Sequence, residues 1–247
     1  MTAHSDDAPR SAGLKPRFWR QPRAWAARKL KLKLADAVGP LGLRVLERVD
    51  FTALRLDRDI AHVIDVGAAD GTPDLYARLP TARLELFEPQ PGHHDTLRTA
   101  VLAHRPGRLH PVALGAADGT AHLSLTGRSG ASLVNTTHLD GTLAPTIEVP
   151  VRRLDRRLSA ADLLRPCLLK IDTEGFEMEV LRGAAGLLDA IDVVVAEVHF
   201  DKPQLYRPFE LVGFLAARGF QLTDMLDHHV RLGRVVCADM VFERVPR

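Results

Sequence analysis

The chain has 247 residues, of which 46% are hydrophobic and 26% are charged. This is the composition of an ordinary folded protein, and it excludes collagen-like, coiled-coil and wholly disordered classes. No apolar run reaches the roughly 18 residues of a membrane-spanning helix, and the first residues lack the apolar segment of a secretory signal. The two cysteines, Cys167 and Cys237, do not have the spacing of a disulfide framework or a zinc ribbon. We therefore expect a protein of the reducing cytoplasm.

The net charge of +2 is the sum of two unlike parts of the chain. Residues 1–34 carry nine Lys or Arg and two Asp or Glu, a net charge of +7, which leaves the remainder at −5. We predict a basic N-terminal helical extension over residues 1–55 and one domain over residues 56–247. The simplest interpretation of the extension is a helical pair packed on the domain. Alternatives are a peripheral membrane contact through residues 15–34, an anionic partner, or a homo-oligomer contact.

Short apolar runs alternate with helical patterns after residue 59. The predicted strands lie at 60–66, 84–87, 109–114, 168–171 and 192–198. The predicted helices lie at 73–79, 90–104, 159–165, 176–189 and 207–218. This alternation predicts an α/β fold with a doubly wound, mostly parallel sheet. Residues 120–126 and 147–154 alternate apolar with polar and predict antiparallel additions. A terminal strand pair, with its turn near residues 227–233, ends the chain.

A loop of small residues, Asp65-Val-Gly-Ala-Ala-Asp-Gly71, follows the first predicted strand. In an open α/β sheet, ligands bind beyond the carboxyl ends of the strands, where this loop lies. Glu88 ends the next strand, 21 residues after Gly67, near the spacing at which a carboxylate binds ribose hydroxyls. The GxGxxG pattern of NAD sites is absent, and Asp65, Asp70 and Glu88 favour a ligand with an ammonium and a sulfonium. S-adenosylmethionine therefore fits better than NAD, with a purely structural turn as the alternative.

Seven segments, taken together in chain order, make the sequence resemble one particular protein family. They are residues 65–71, 86–91, 112–119, 130–133, 151–155, 169–183 and 195–199. With these segments the sequence resembles the FkbM-type family of S-adenosylmethionine-dependent methyltransferases. The most specific of them contains Lys170-Ile-Asp-Thr-Glu-Gly-Phe-Glu177.

The resemblance implies a Rossmann-like class I methyltransferase fold with a terminal antiparallel strand pair. It implies methyl transfer to a hydroxyl of a small acceptor, such as a sugar or a glycosylated or polyketide specialised metabolite. By motif position, the implied cofactor-binding residues are Asp65, Gly67, Ala68, Asp70, Gly71, Glu88, Pro89 and Ala113. Glu88 would hold the ribose, and Pro89 and Ala113 would lie near the adenine. Ala69 and Ala100 depart from the family pattern, which usually has Asn at both positions.

Four polar residues lie at the ends of two predicted strands. Asp172 and Glu174 follow one strand, and Glu197 and His199 lie two apart on another, so that both face one side. An alcohol needs a general base or a metal for methyl transfer. We predict Asp172 at the junction of cofactor and acceptor, and His199 as the first candidate base, because imidazole titrates near neutral pH. Glu174 or Glu197 would orient it.

These residues also have simpler interpretations. Glu174 and Gly175 could cap the following helix, and His199 could be a structural hydrogen-bonding residue. A divalent cation on Asp172 and Glu197 is a further alternative, although no metal-ligand spacing indicates one. Other polar groups have solvated-surface or acceptor-contact interpretations: His93, His94, His228, His229, Arg152, Arg153, Arg156, Arg157 and Ser132.

Three rival functions remain open at this point. The first is a dinucleotide-dependent oxidoreductase. The second is a catalytically weak or inactive cofactor-binding protein that docks through its basic arm, for which Ala69 is the best support. The third is nucleic-acid methylation, which is disfavoured because the chain after residue 34 is acidic and has few aromatic side chains for base stacking.

Overall fold

The computed structural model describes residue 51, residue 54 and residues 59–125, 131–132, 145–201 and 206–245. Most of the predicted N-terminal extension, including the basic arm, therefore lies outside the described residues. Phe51 and Leu54 are both fully buried in the core formed by the following strands. Among the described residues, no helix is long and apolar enough to cross a membrane.

The architecture is an α/β fold built on a seven-stranded sheet. In chain order its strands are β1 (His62–Val66), β2 (Arg83–Phe87), β3 (Gly107–His110), β8 (Cys167–Ile171), β9 (Val193–His199), β10 (Phe220–Arg231) and β11 (Arg234–Arg244). Across the sheet they lie in the order β10-β11-β9-β8-β1-β2-β3. All pairs are parallel except those that β11 makes with β9 and β10. This is the predicted Rossmann-like class I methyltransferase sheet with its terminal antiparallel strand pair.

The central strands are buried on both faces, as their continuous apolar runs predict. Along β1, β8 and β9, alternate residues contribute to two separate hydrophobic clusters. Ile64, Leu169 and Val194 belong to one cluster. Their chain neighbours Val63 and Leu168 belong to the other. Because neither face is exposed, the polar residues of these strands stand out as candidates for function.

A second, four-stranded sheet has the order β4-β7-β5-β6. Its strands are β4 (Ala113–Leu114), β5 (Gly119–Leu125), β6 (Ala131–Ser132) and β7 (Thr146–Arg152). The predicted antiparallel pair corresponds to β5 and β7, but these strands belong to a sheet of their own. The single strand predicted at 109–114 is wrong: Pro111 has no N–H to continue the ladder, and the chain moves from β3 in one sheet to β4 in the other.

The helices cover the two faces of the main sheet at about the predicted places. They are α1 (Pro73–Arg78), an irregular segment α2 (Pro91–His93, His94–Thr96, Leu97–Val101 and Leu102–His104), α3 (Leu154–Arg157), α4 (Glu177–Gly183) and α5 (Pro208–Ala216).

Two of the helix predictions need correction. Of the helix expected at 159–165, only a turn at Ala160–Asp162 forms, which extended Ser159 caps through its hydroxyl; the regular helix α3 lies before it, at Leu154–Arg157. The helix expected at 176–189 ends at Gly183. A Cβ there would lie 2.0 Å from the carbonyl oxygen of Gly115, so this position packs directly against the chain before β5.

Candidate active site

The loop between β1 and α1 is shaped by glycines that no other residue could replace without a clash or strain. Gly67 has φ +75°, and a Cβ there would lie 1.9 Å from the carbonyl oxygen of Asp172. Gly71 has φ +102°. The Gly67 N–H donates to the carbonyl of Phe87 at 3.0 Å. The loop is thereby held between the carboxyl ends of β2 and β8, where the sequence places the site.

Asp65 anchors the start of this loop from within the core. Its side chain is fully buried and accepts hydrogen bonds from the hydroxyls of Tyr76 at 2.5 Å and Thr72 at 2.8 Å. Burial and the neighbouring Asp65 raise the pKa of Tyr76, which keeps its hydroxyl protonated as the donor. Asp65 Oδ1 also lies 3.1 Å from the ammonium of Lys170. The structure therefore gives Asp65 three partners within the protein.

Glu88 clamps the loop to the end of β2. One carboxylate oxygen accepts the N–H of Ala69 and the other accepts the N–H of Gln90, both at 2.7 Å. The side chain is 5% exposed and lines a cavity beside the loop. Burial raises the pKa of Glu88, and the two N–H donors oppose that effect.

Six of the predicted site residues line this cavity: Gly67, Glu88, Pro89, Ala113, Asp172 and Glu174. The other five, namely Asp65, Ala68, Asp70, Gly71 and His199, do not line it. Aliphatic side chains of both sheets and of the segment between β3 and β4 complete the wall, among them Val66, Val112, Leu114 and Leu123. The cavity thus has two polar parts, a loop end at Gly67 and Glu88 and an acceptor end at Asp172 and Glu174, which adjoin where Gly67 packs against the Asp172 backbone.

His93 is a cavity residue rather than the solvated histidine that we expected. It is 6% exposed, lines the cavity, and places Nδ1 2.7 Å from Asp70 Oδ1. The neighbouring His94 places Nε2 2.8 Å from the carbonyl oxygen of Glu88. Both histidines therefore tie α2 to the loops at the site.

Lys170 connects Asp65 with Asp172 inside the core, and it had no predicted role. Its ammonium lies 3.1 Å from Asp65 and 3.3 Å from Asp172, and the residue is 3% exposed. Burial alone would lower the pKa of Lys170, but the two carboxylates outweigh burial and raise it. A charged residue inside the apolar run Leu168-Leu-Lys-Ile171 was the available signal.

The loop after β8 is held by Glu177, another residue without a predicted role. One oxygen of its fully buried carboxylate accepts the N–H of Thr173 at 3.1 Å, the Thr173 hydroxyl at 3.0 Å and the N–H of Gly175 at 2.8 Å. Glu174 has φ +55°, an uncommon conformation for a residue with a side chain. Glu174 does not cap α4, because Phe176 is the residue that precedes this helix.

Glu197 and His199 face the same side of β9, as their spacing predicts. Glu197 Oε2 lies 3.0 Å from His199 Nε2, and Glu174 Oε2 lies 3.9 Å from the same nitrogen. The His199 side chain is 6% exposed. The imidazole therefore lies behind Glu174 and does not itself line the cavity.

Two carboxyl groups in this region have strongly raised pKa values. Burial, with the nearby carboxylates of Glu197, Glu174 and Glu177, raises the pKa of Asp172 to about 7 against the opposing effect of Lys170. Burial and the carboxylates of Asp172 and Glu197 raise the pKa of Asp239 on β11 to about 8. At neutral pH, Asp172 is close to its titration midpoint, which is the condition that suits a proton-transfer group.

The arginines that follow β7 have internal partners. Arg153 pairs with Asp155 and Arg156 with Asp118 at 2.5 Å and 3.2 Å, while Arg157 donates to Nδ1 of His110 at 3.3 Å. Arg152 donates to the carbonyls of Val151 and Gly119. These contacts give each arginine a structural role, and the exposure of Arg152, Arg156 and Arg157 agrees with the solvated-surface interpretation. The side chain of Ser132 lies outside the described residues.

The fold and this cavity together define a Rossmann-like protein with class I methyltransferase architecture. The sequence model of the methyltransferase FkbM domain family matches residues 65–222 of this chain. The chain belongs to this family of S-adenosylmethionine-dependent methyltransferases.

Similar proteins include the hexuronic acid methyltransferase AglP of Haloferax volcanii, which is 28% identical over 135 residues. That match covers 55% of this chain and 54% of AglP, so the chain spans about half the length of its curated relative. Magnesium protoporphyrin IX methyltransferase from Synechocystis PCC 6803, solved with bound S-adenosylmethionine, has TM-score 0.43 and 9% identity, over 94% of this chain and 86% of its own. Precorrin-6y C5,15-methyltransferase from Geobacter metallireducens has TM-score 0.40 and 12% identity, over 79% and 85% of the two chains.

Ala69 generates a prediction about stability. Its φ of +46° lies in the left-handed region, which costs an L-residue about 1–2 kcal/mol and which glycine and asparagine tolerate. We expect Ala69→Gly to raise the free energy of unfolding by about 0.5–1 kcal/mol in urea denaturation, after the entropy of glycine in the unfolded chain is subtracted. Ala69→Asn should stabilise as well. The matched control, Ala216→Gly at the end of α5, should destabilise, and a loss of stability in both glycine variants would contradict the argument.

The raised pKa of Asp172 predicts a stability cost at neutral pH. The unfolded carboxyl loses its proton near pH 3.8 and the folded one near pH 7, so the folded state binds more protons between these values and stability falls as the pH rises. We expect Asp172→Asn to be more stable than wild type at pH 7.5 by about 1–2 kcal/mol. This difference is smaller than the full pKa shift would give, because the side chain is partly exposed to solvent. The difference should vanish near pH 4.

Urea denaturation across pH 4–8 measures this effect. Asp95→Asn is the matched control, because the Asp95 side chain is 98% exposed, and it should follow the wild-type profile. If Asp172→Asn is the less stable protein at pH 7.5, the ion pair with Lys170 stabilises the folded protein by more than burial and the neighbouring carboxylates destabilise it. The raised pKa of Asp172 would then be wrong.

Proposed function

We propose that this protein is an S-adenosylmethionine-dependent O-methyltransferase that methylates a hydroxyl group of a sugar or sugar-containing acceptor. One observation carries the proposal. A single cavity is lined both by the glycine loop with Glu88, the loop end, and by Asp172 with Glu174, the acceptor end. A cofactor-binding end and a proton-accepting end are the two parts that methyl transfer to oxygen requires.

The loop end fits the adenosyl cofactor in shape and charge. Gly67 lines the cavity with its backbone, and the Glu88 carboxylate lines it with lone pairs beyond those used by Ala69 and Gln90. Pro89 and Ala113 offer an apolar wall for a flat base. Bound S-adenosylmethionine supplies a methyl group made electrophilic by its sulfonium. Asp65 acts indirectly in this arrangement, by fixing the loop.

We assign the proton-accepting role to Asp172. Its carboxylate lines the cavity, and its pKa near 7 makes it a competent base that is substantially ionised at neutral pH. His199 was the first candidate from the sequence, but its imidazole lies behind Glu174 and pairs with Glu197. We infer that His199 positions Glu174 and Glu197 at the acceptor end.

The acceptor chemistry follows from the charge of this end. Asp172 and Glu174 can accept hydrogen bonds from hydroxyl groups, and they would repel an acceptor that presented an anion at the same place. The relative that acts on a hexuronic acid supports a sugar as the acceptor class. A hexuronic acid offers both hydroxyl and carboxylate oxygens, and the two carboxylates of the site favour a hydroxyl as the group that enters.

Cofactor binding provides the first test. We expect calorimetry to show S-adenosylhomocysteine binding and no NAD binding, and Glu88→Gln to weaken the former about 10–100-fold, since hydrogen bonds to a charged group contribute about 1.5–3 kcal/mol. Glu148→Gln, an exposed carboxylate on β7, is the matched control and should bind like wild type. Binding of NAD alone would favour the dinucleotide-dependent oxidoreductase.

The second test separates the base from its neighbours. With a panel of sugars and hexuronic acids as acceptors, we expect Asp172→Asn to lower kcat by about 10²–10⁴ and to remove the rise of kcat/KM with pH around 7. His199→Gln should reduce the rate less and keep that rise. The reverse result would return the base role to His199. If both variants keep the wild-type rate, the acceptor group is a carboxylate, which needs no base. If the wild type is inactive on the whole panel, the binding-protein alternative is favoured.

A further inference from the structure

A second cluster of polar side chains lies beside the active site on the strands β9, β10 and β11. Cys237 on β11 is in register with His199 on β9 and with His229 on β10. Asp239, two residues further along β11, is in register with Glu197. Side chains in register, and those two apart on one strand, point to the same face of a sheet. Five polar groups therefore share one patch of this face.

Three of these groups have the ligand atoms and spacing of a metal site. A carboxylate oxygen of Glu197, a ring nitrogen of His229 and the sulfur of Cys237 all lie within 4.8 Å of one another. Zinc bonds of about 2.0–2.3 Å at tetrahedral angles require ligand atoms about 3.3–3.8 Å apart. Rotation of the side chains covers the difference, because the three strands already hold the Cα atoms in adjacent register positions.

The chemistry of the set distinguishes among metals. Sulfur and imidazole nitrogen are ligands of zinc and related transition metals, whereas Mg²⁺ and Ca²⁺ take oxygen ligands. A neighbouring set of Glu174, Glu197 and His199 also meets the spacing, but it belongs to the acceptor end described above. Of the two sets, the one with Cys237 has the clearer preference for zinc.

The environment gives an independent sign that a cation belongs here. Asp239 is 2% exposed, and its Oδ2 has no hydrogen-bond partner. A buried, unpartnered carboxylate oxygen is costly, and a nearby cation offsets that cost. Asp239 lies on the same face as Cys237 and directly opposite Glu197, so that its carboxyl group is beside the three ligands.

We propose that Glu197, His229 and Cys237 form a zinc-binding site, with water as the fourth ligand and Asp239 as a neighbouring carboxyl group. Binding displaces the thiol proton of Cys237 to solvent and forms the sulfur–zinc bond. The site joins β9 to the β10–β11 hairpin. Because Glu197 also pairs with His199, a bound metal would compete with His199 for this carboxylate.

Metal content of the untagged full-length protein tests the proposal without reference to methyl transfer. After chelator treatment and dialysis against Zn²⁺, we expect about one zinc per wild-type chain by elemental analysis, as a single site with three protein ligands requires. Cys237→Ser and His229→Ala should each retain less than about a tenth of this amount. Cys167→Ala, at the other cysteine, and His122→Ala, at an exposed histidine on β5, are matched controls that should bind like wild type.

Cobalt substitution identifies the ligands directly. Wild type and Cys167→Ala loaded with Co²⁺ should show the near-ultraviolet charge-transfer band of a thiolate ligand, and Cys237→Ser should lack it. Circular dichroism and thermal denaturation establish that each variant is folded, and His229→Ala serves in place of Cys237→Ser if the latter does not fold. Absence of bound zinc in folded wild type, or equal zinc in wild type and His229→Ala, would overturn the proposal. Either result leaves the cofactor and acceptor tests unaffected.

Discussion

The buried ammonium of Lys170 is the interaction on which the rest of the site depends. It lies between Asp65, which fixes the glycine loop after β1, and Asp172, which begins the loop after β8. Taking an ammonium out of water costs several kcal/mol, and only close, well-placed carboxylates offset that cost. Because β1 and β8 are neighbouring strands, one cation can serve both loops. The position of the glycine loop, where we propose that the cofactor binds, is thereby coupled to that of Asp172, the proposed base.

The same region gathers more carboxyl groups than one cation can neutralise. Asp172, Glu174, Glu197 and Asp239 lie near one another, and the raised pKa values of Asp172 and Asp239 are the consequence. Like charges in a partly desolvated place destabilise the folded protein, so this arrangement is unfavourable for stability alone. Its benefit is chemical, because a carboxyl group that titrates near neutral pH can accept a proton under working conditions. The acceptor end therefore has the strained electrostatics expected of a functional site.

Local patterns in the sequence predicted most of the fold, whereas contacts between distant segments account for what was missed. Continuous apolar runs located β1, β8 and β9, and period-two spacing placed Glu197 and His199 on one face. The pairing of His93 with Asp70 across 23 positions has no local signature. Neither does the zinc-type cluster, since Cys237 meets His229 and Glu197 only through strand register. Charged residues inside buried strands, Lys170 and Asp239, were a readable signal, because such residues are almost never buried without a partner.

The departure at Ala69 bears on whether the site retains its function. In the structure, residue 69 contributes its backbone N–H to Glu88, and this contact needs no particular side chain. What the side chain decides is the cost of the left-handed conformation, which is higher for alanine than for asparagine. The substitution thus affects the stability of the loop while leaving the clamp between the loop and Glu88 in place. The cavity keeps both of its polar ends, and for this reason the alanine is compatible with an active methyltransferase.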